Sequence, residues 1–170
     1  MDAWRKNLRL RGYDYSRPGV YFITICTAEG EPLFGEIRSG QMIRNDAGNV
    51  LAEIWANLPQ RFPIVALDSF VVMPNHVHGV VVFDKPGINQ KQGAASSAPT
   101  TVVALGRVVR SFKSESAIRV NAILKTSGRF VWQRNYFEHI VRTGKDLDEI
   151  RQYIHDNPLR WDSDPENARP

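Results

Sequence analysis

Cysteine is almost absent: Cys26 stands alone among 170 residues. A single thiol excludes an internal disulfide framework and any cysteine-rich zinc site. Long hydrophobic runs are missing too. No stretch approaches the roughly 20 apolar residues that span a bilayer, and Met1-Asp2-Ala3-Trp4-Arg5-Lys6 leads into no hydrophobic signal segment. A cytoplasmic address is the expectation, and the chain has no internal repeat. What is present is ordinary: 42% hydrophobic and 24% charged residues suit a globular protein, and the length suits one domain with a sizeable core.

Acidic residues are sparse in two places, and that makes a modest net charge of +4 informative. Ahead of the first predicted strand, Arg5, Lys6, Arg9, Arg11 and Arg17 face only Asp2 and Asp14. Further on, Arg107, Arg110, Lys113, Arg119 and Lys125 are opposed only by Glu115. Two separated basic clusters suit a polyanion such as nucleic acid, and they equally suit a solvated surface. Trp4, Tyr13 and Tyr15 interleave with the first cluster, which adds aromatic faces on which unpaired bases can stack.

Periodicity organises the chain into eight elements. Gly19–Thr27 is rich in β-branched and aromatic residues and reads as a strand. A shorter strand around Leu33–Ile37 lies between Gly30-Glu31-Pro32 and Ser39-Gly40, paired as a hairpin. Val50, Leu51, Ile54, Trp55 and Leu58 then fall at helical spacing within Asn45–Gln60, before Pro59 and Pro63. Val65–Met73 and His76–Asp84 are strand-like and separated only by Pro74-Asn75, which predicts an antiparallel hairpin. Residues 85–100 lack a hydrophobic period and read as a flexible loop. Val102, Leu105, Val109 and Phe112 begin a helix that Ser127-Gly128 closes. A strand over Phe130–Arg142 and a helix over Lys145–Asn157, stopped by Pro158, complete the order.

Such an order predicts one α+β domain over residues 1–170: a ferredoxin-like sandwich with an antiparallel sheet of four to five strands and helices on one face. Residues 1–18 form a basic N-terminal segment and residues 162–170 a polar tail.

The chemistry concentrates in Met73-Pro74-Asn75-His76-Val77-His78. Alternate side chains of a strand share a face, about 7 Å apart at their bases. His76 and His78 therefore form a two-nitrogen clamp for a divalent metal, while Val77 points the other way. A pair of satisfied strand histidines has the same spacing. On the last helix, Tyr153 and Asn157 are four apart and share a face. Asn157 offers an amide oxygen to the metal, and Tyr153 a phenolic oxygen one turn away. The same positions, with Ile150 and Ile154, also make an ordinary core-facing stripe. Tyr136 is the competing tyrosine.

Three blocks carry a family resemblance. Val71-Val72-Met73-Pro74-Asn75-His76-Val77-His78 and the downstream Trp132-Gln133-Arg134-Asn135-Tyr136 resemble the single-tyrosine HUH transposases. Tyr153-Ile154-His155-Asp156-Asn157-Pro158 is similar to their branch of REP-associated tyrosine transposases. All three stand in the family's order, and the likeness spans roughly Gly19–Trp161. It implies a metal-dependent endonuclease and strand transferase that cuts single-stranded, hairpin-containing DNA. His76 and His78 would bind magnesium or manganese, with Asn157 as the third protein ligand. Tyr153 would attack the DNA, leaving a covalent 5′-phosphotyrosine and a free 3′-hydroxyl. Arg5, Lys6, Arg9, Arg11, Arg107, Arg110 and Lys113 are the candidate DNA contacts. The short polar tail favours a monomer with its site in cis over a homodimer. Two other readings predict different behaviour. A domesticated relative binds hairpins without cutting them, and an unrelated metal hydrolase using His76, His78 and Asp84 turns over without a covalent DNA intermediate.

Overall fold

A computed structural model describes residue 14, residues 17–83 and residues 103–167. Arg5, Lys6, Arg9, Arg11, Asp84, and the loop expected over 85–100 lie outside the described residues. The elements are β1 (Gly19–Cys26), β2 (Gly35–Arg38), β3 (Gln41–Arg44), α1 (Asp46–Ala56), α2 (Leu58–Arg61), β4 (Val65–Val72), β5 (His76–Phe83), α3 (Leu105–Leu124), β6 (Phe137–Val141) and α4 (Gly144–Asp156). A 3-10 turn over Pro158–Ser163 follows.

The main sheet has the order β4-β5-β1-β6, with every neighbouring pair antiparallel. Taking β1, α1, β4, β5, α3 and β6 in turn gives the β-α-β-β-α-β arrangement of the ferredoxin-like sandwich. Strand alternation divides the apolar residues between two faces. Tyr21, Ile23 and Ile25 of β1 and Val77, Val81 and Phe83 of β5 join the core built with α1 and α3. Phe22 and Val80 face the other way and pack against Ile150, Tyr153 and Ile154 of α4. The expectation of helices on one face thus holds for α1 and α3 and is corrected for α4. Its stripe of Ile150, Tyr153 and Ile154 covers the second sheet face, which would otherwise expose Phe22 and Val80 to water.

Local chemistry sets the helix ends. Asn45 caps α1 by accepting the Gly48 amide on its side chain. The predicted helix to Gln60 breaks at Asn57, and Pro59 starts a separate turn, α2, because it has no N–H to continue the first. Thr143 caps α4 through the Asp146 amide.

Two strand expectations change. The strand near Leu33–Ile37 does not pair with β1. It appears as β2, which pairs with β3 across the Ser39-Gly40 turn as a separate two-stranded sheet. The final strand is shorter than expected: β6 covers Phe137–Val141, and residues 131–133 meet the end of β1 only through an isolated bridge, with Gln133 donating its amide to the Cys26 carbonyl. Trp132 bridges Thr27 and donates its indole N–H to Ser116 of α3 at 2.9 Å. The Lys113 ammonium donates to the carbonyls of Gln133, Arg134 and Asn135.

Gly79 lets the Trp55 indole of α1 lie close against the sheet. A Cβ there would lie 2.4 Å from Trp55 Cζ2 and 2.5 Å from Cη2, and that indole is stacked on Phe70 with ring centroids 4.5 Å apart. Gly79→Ala is expected to destabilise the fold by about 1–3 kcal/mol through overpacking. Urea unfolding of the two chains checks this, and an unchanged midpoint would show that the indole relaxes freely.

Candidate metal and tyrosine site

Strand register builds the first half of the site. His76 and His78 lie on the α4 face of β5, and His78 sits directly opposite Thr24 of β1. Both rings are buried, with their Nε2 atoms 3.0 Å apart. Each outer nitrogen has a partner. Asn75 donates its amide N–H groups to the carbonyls of Gly30 and Glu166. Its Oδ1 is therefore the acceptor for the His76 Nδ1–H at 2.8 Å, which leaves a lone pair on His76 Nε2. His78 Nδ1 lies 2.8 Å from the Thr24 hydroxyl. When it donates to that hydroxyl, both inner nitrogens present lone pairs to one point, as a metal pair requires.

Helix α4 brings the second half. Tyr153 Oη lies 3.4 Å from His78 Nε2, and its ring stands edge-on to Phe22 at 6.1 Å. An ion-pair clamp fixes the helix. Arg151 donates from Nε and Nη2 to the two carboxylate oxygens of Asp68 at 2.9 and 2.7 Å, and from Nη1 to Asp148. Asp68 follows Leu67 in the strand alternation and so lies on the α4 face, just ahead of a bulge between Leu67 and Phe70 that puts one extra residue into β4. These hydrogen bonds, Arg151 foremost, hold the Asp68 carboxyl at about 2, below its usual value.

A depressed carboxylate pKa contributes stability that is fully present above the unfolded value and lost as pH falls through the folded one. The melting temperature of the wild-type chain is thus expected to exceed that of Arg151→Ala by its full margin near about pH 5, with the gap closing toward about pH 2. A gap that stays constant over that range would remove the clamp from the account.

The chain beyond α4 completes the enclosure. Asn157, 1% exposed, donates its Nδ2 to Asp164 Oδ2 at 2.9 Å. Its Oδ1 is buried without a hydrogen-bond partner among the described residues. Asp164, itself buried, accepts the Glu166 amide on Oδ1 at 2.8 Å. Residues 162–167 of the expected polar tail end the 3-10 turn and build Asp164 and Glu166 into the site. Trp161 lies beside His76, ring centroids 6.1 Å apart. Asp164 was missed from the sequence because no periodicity links it to the histidines, and the Asp-Ser-Asp-Pro-Glu run resembles a solvated end.

One donor set suits a divalent cation. Ligand atoms of His76, His78 and Asp164 all lie within 4.8 Å of one another. Octahedral magnesium holds its ligands at about 2.0–2.1 Å, so neighbouring ligands stand about 3 Å apart. The 3.0 Å separation of the two Nε2 atoms matches that edge. The orphaned Asn157 Oδ1 is a further acceptor in the same enclosure. Among the described residues, these fit a divalent cation.

Other predicted residues lie elsewhere. Tyr136 is half-buried against the α1–α3 core, across the sheet from His78. Arg107 and Arg110 are exposed on α3, also in that layer. Lys113 is committed to three loop carbonyls, and burial lowers its pKa. In this structure it is a strut for the Trp132–Tyr136 block and not an open phosphate contact. His155 is exposed, while His139 is tied to Asp146 at 3.0 Å. Among the described residues, no helix is long and apolar enough to cross a membrane.

Comparison with known proteins places this geometry in context. No family model matches the chain. An uncharacterized protein of Haemophilus influenzae is 41% identical over 172 residues, covering 94% of this chain and 91% of that protein. Another protein of that organism, named "Putative REP-associated tyrosine transposase", is 22% identical over 148 residues, covering 86% of this chain and 74% of its own length. Among solved structures, a REP-associated tyrosine transposase bound to a REP hairpin superposes with a TM-score of 0.55 at 17% identity, covering 91% of this chain and 74% of that one. The chain belongs to one family with the uncharacterized Haemophilus influenzae protein, and it shares the α+β fold of the REP-associated tyrosine transposase of known structure.

Proposed function

We propose that this protein is a metal-dependent single-stranded DNA nicking and joining enzyme, a transposase that uses Tyr153 as nucleophile on hairpin-containing DNA. One observation carries the reading: a tyrosine hydroxyl stands 3.4 Å from a nitrogen of the His76–His78 pair, on a helix clamped to β4, the strand beside the one that bears them. In the cleavage step, Tyr153 Oη forms a bond to phosphorus as the bond from phosphorus to O3′ breaks. The phenolic proton ends on the departing 3′ oxygen. The products are a 5′-phosphotyrosine and a free 3′-hydroxyl, and the reverse step joins strands.

A free tyrosine has a pKa near 10 and is a weak nucleophile until helped. A magnesium or manganese ion held by His76, His78 and an oxygen donor from the Asn157–Asp164 segment would supply Lewis-acid stabilisation of the charge developing on the phosphate. Burial of both imidazoles excludes water around them and strengthens that electrostatic effect. Phe22 holds the Tyr153 ring edge-on, while Thr24 and Asn75 orient the two imidazoles. Hairpin DNA is the substrate suggested by the relatives. Arg107 and Arg110, together with Arg5, Lys6, Arg9 and Arg11, are the proposed backbone contacts, and the clamp within one chain supports a monomer with its site in cis.

The test is covalent capture. The full chain, incubated with manganese and a labelled single-stranded hairpin, is expected to yield a protein–DNA adduct that survives denaturing electrophoresis. Hairpin binding without an adduct would instead establish a non-catalytic binder. Turnover without an adduct would establish a hydrolase.

A further inference from the structure

We infer that Asp164 supplies the third protein ligand of the divalent-cation site, and that Asn157 is a positioning residue acting through it. The inference rests on the reading of His76 and His78 as a metal pair and assigns the oxygen donor that reading leaves open. Three observations converge. The Asp164 carboxylate lies within 4.8 Å of both histidine nitrogens. It is buried, as a ligand shielded from competing water would be. It is also oriented at both oxygens, with Asn157 donating to Oδ2 at 2.9 Å and the Glu166 amide to Oδ1 at 2.8 Å. An ionised carboxylate has about four acceptor sites, enough for orienting hydrogen bonds and a cation together.

Chemistry separates Asp164 from Asn157. Magnesium and manganese are hard cations that favour carboxylate oxygen. Two neutral imidazoles and a neutral amide would leave the ion's double charge uncompensated by protein, whereas Asp164 brings an anion. Asn157, with its Nδ2 on the carboxylate, is placed as the outer partner that orients a ligating carboxylate. The same hydrogen bonds join the ends of the site. Glu166, which presents its amide to Asp164, accepts from Asn75 on its carbonyl at 2.6 Å, and Asn75 accepts the His76 Nδ1–H. Strand β5 and the chain beyond α4 thereby orient the ligands through one continuous network.

Manganese titration of the full chain without DNA tests the assignment, with circular dichroism to verify folding. Asp164→Asn is expected to weaken manganese binding about a hundredfold, and Asn157→Ala about tenfold, the latter within the range for loss of an outer-shell partner. Because Cys26 lies opposite His76, the second variant is Asp164→Cys in a Cys26→Ser background, expected to gain a thiolate-to-cadmium absorption band that Cys26→Ser alone lacks. That band decides the matter if Asp164→Asn does not fold. The proposal is overturned if Asp164→Asn binds manganese like wild type, if Asn157→Ala loses more affinity than Asp164→Asn, or if the cysteine variant shows no new band. Wild type failing to bind manganese overturns it together with the metal pair. Intact manganese binding without any DNA adduct leaves the ligand assignment standing and sinks only the DNA-cleavage reading.

Discussion

Tyr153→Phe is expected to abolish the covalent adduct, lowering cleavage by at least about a thousandfold, as loss of a nucleophile does. The substitution removes one oxygen and little else. The ring keeps its edge-on contacts with Phe22 at 6.1 Å and His78 at 5.1 Å, and the hydroxyl's 3.4 Å approach to His78 is too long to be a strong hydrogen bond. Stability is therefore expected to change by less than about 1 kcal/mol, and hairpin binding to persist. Tyr136→Phe serves as the control, because Tyr136 packs on the opposite sheet face and its loss should leave the adduct in place. Gel analysis of adduct formation by both variants reads the outcome. An adduct that survives in Tyr153→Phe and vanishes in Tyr136→Phe would transfer the nucleophile to the other tyrosine.

The second large effect belongs to the histidines. His76→Ala removes one of two nitrogens that stand 3.0 Å apart, and a single remaining imidazole cannot form the clamp. Manganese binding is expected to fall below detection, and cleavage by about a thousandfold or more, since the charge stabilisation depends on the bound ion. Hairpin binding measured without metal is expected to hold within a few-fold. His76 is fully buried, however, and hydrogen-bonded to Asn75, so its truncation also opens a cavity and orphans the Asn75 oxygen. Melting temperature and hairpin affinity separate these consequences. If both collapse together with cleavage, the histidine is part of the scaffold. If only metal binding and cleavage are lost, it is a ligand.

How much of this was legible before the fold was known depends on the range of each interaction. The hairpin of β4 and β5 was readable because two alternating runs flank Pro74-Asn75. The shared face of His76 and His78 followed from the two-residue period of a strand. The α4 stripe followed from helical spacing. Other expectations failed where a distant partner intervened. The predicted strand from Phe130 is interrupted ahead of β6, where Lys113 takes the carbonyls of Gln133 to Asn135, and only an isolated bridge from Trp132 to Thr27 continues it. Lys113, which by composition belongs to a basic cluster, thereby directs its charge into the fold. The bulge between Leu67 and Phe70 is invisible in sequence, because it is a matter of register against β5.

The sequence by itself determined the ferredoxin-like order of elements, the strand face carrying the two histidines and the helix carrying Tyr153 and Asn157. All of these depend on periods of two or about four residues along one segment. Only the tertiary structure decided that α4 covers the sheet face opposite α1 and α3, which puts Tyr153 beside the histidine pair and leaves Tyr136 across the sheet. Tertiary structure also drew Asp164 out of an apparent tail and into the cluster with His76 and His78. Those outcomes depend on strand register and on hydrogen bonds between residues as far apart as Asn75 and Glu166, and no local pattern encodes such pairings.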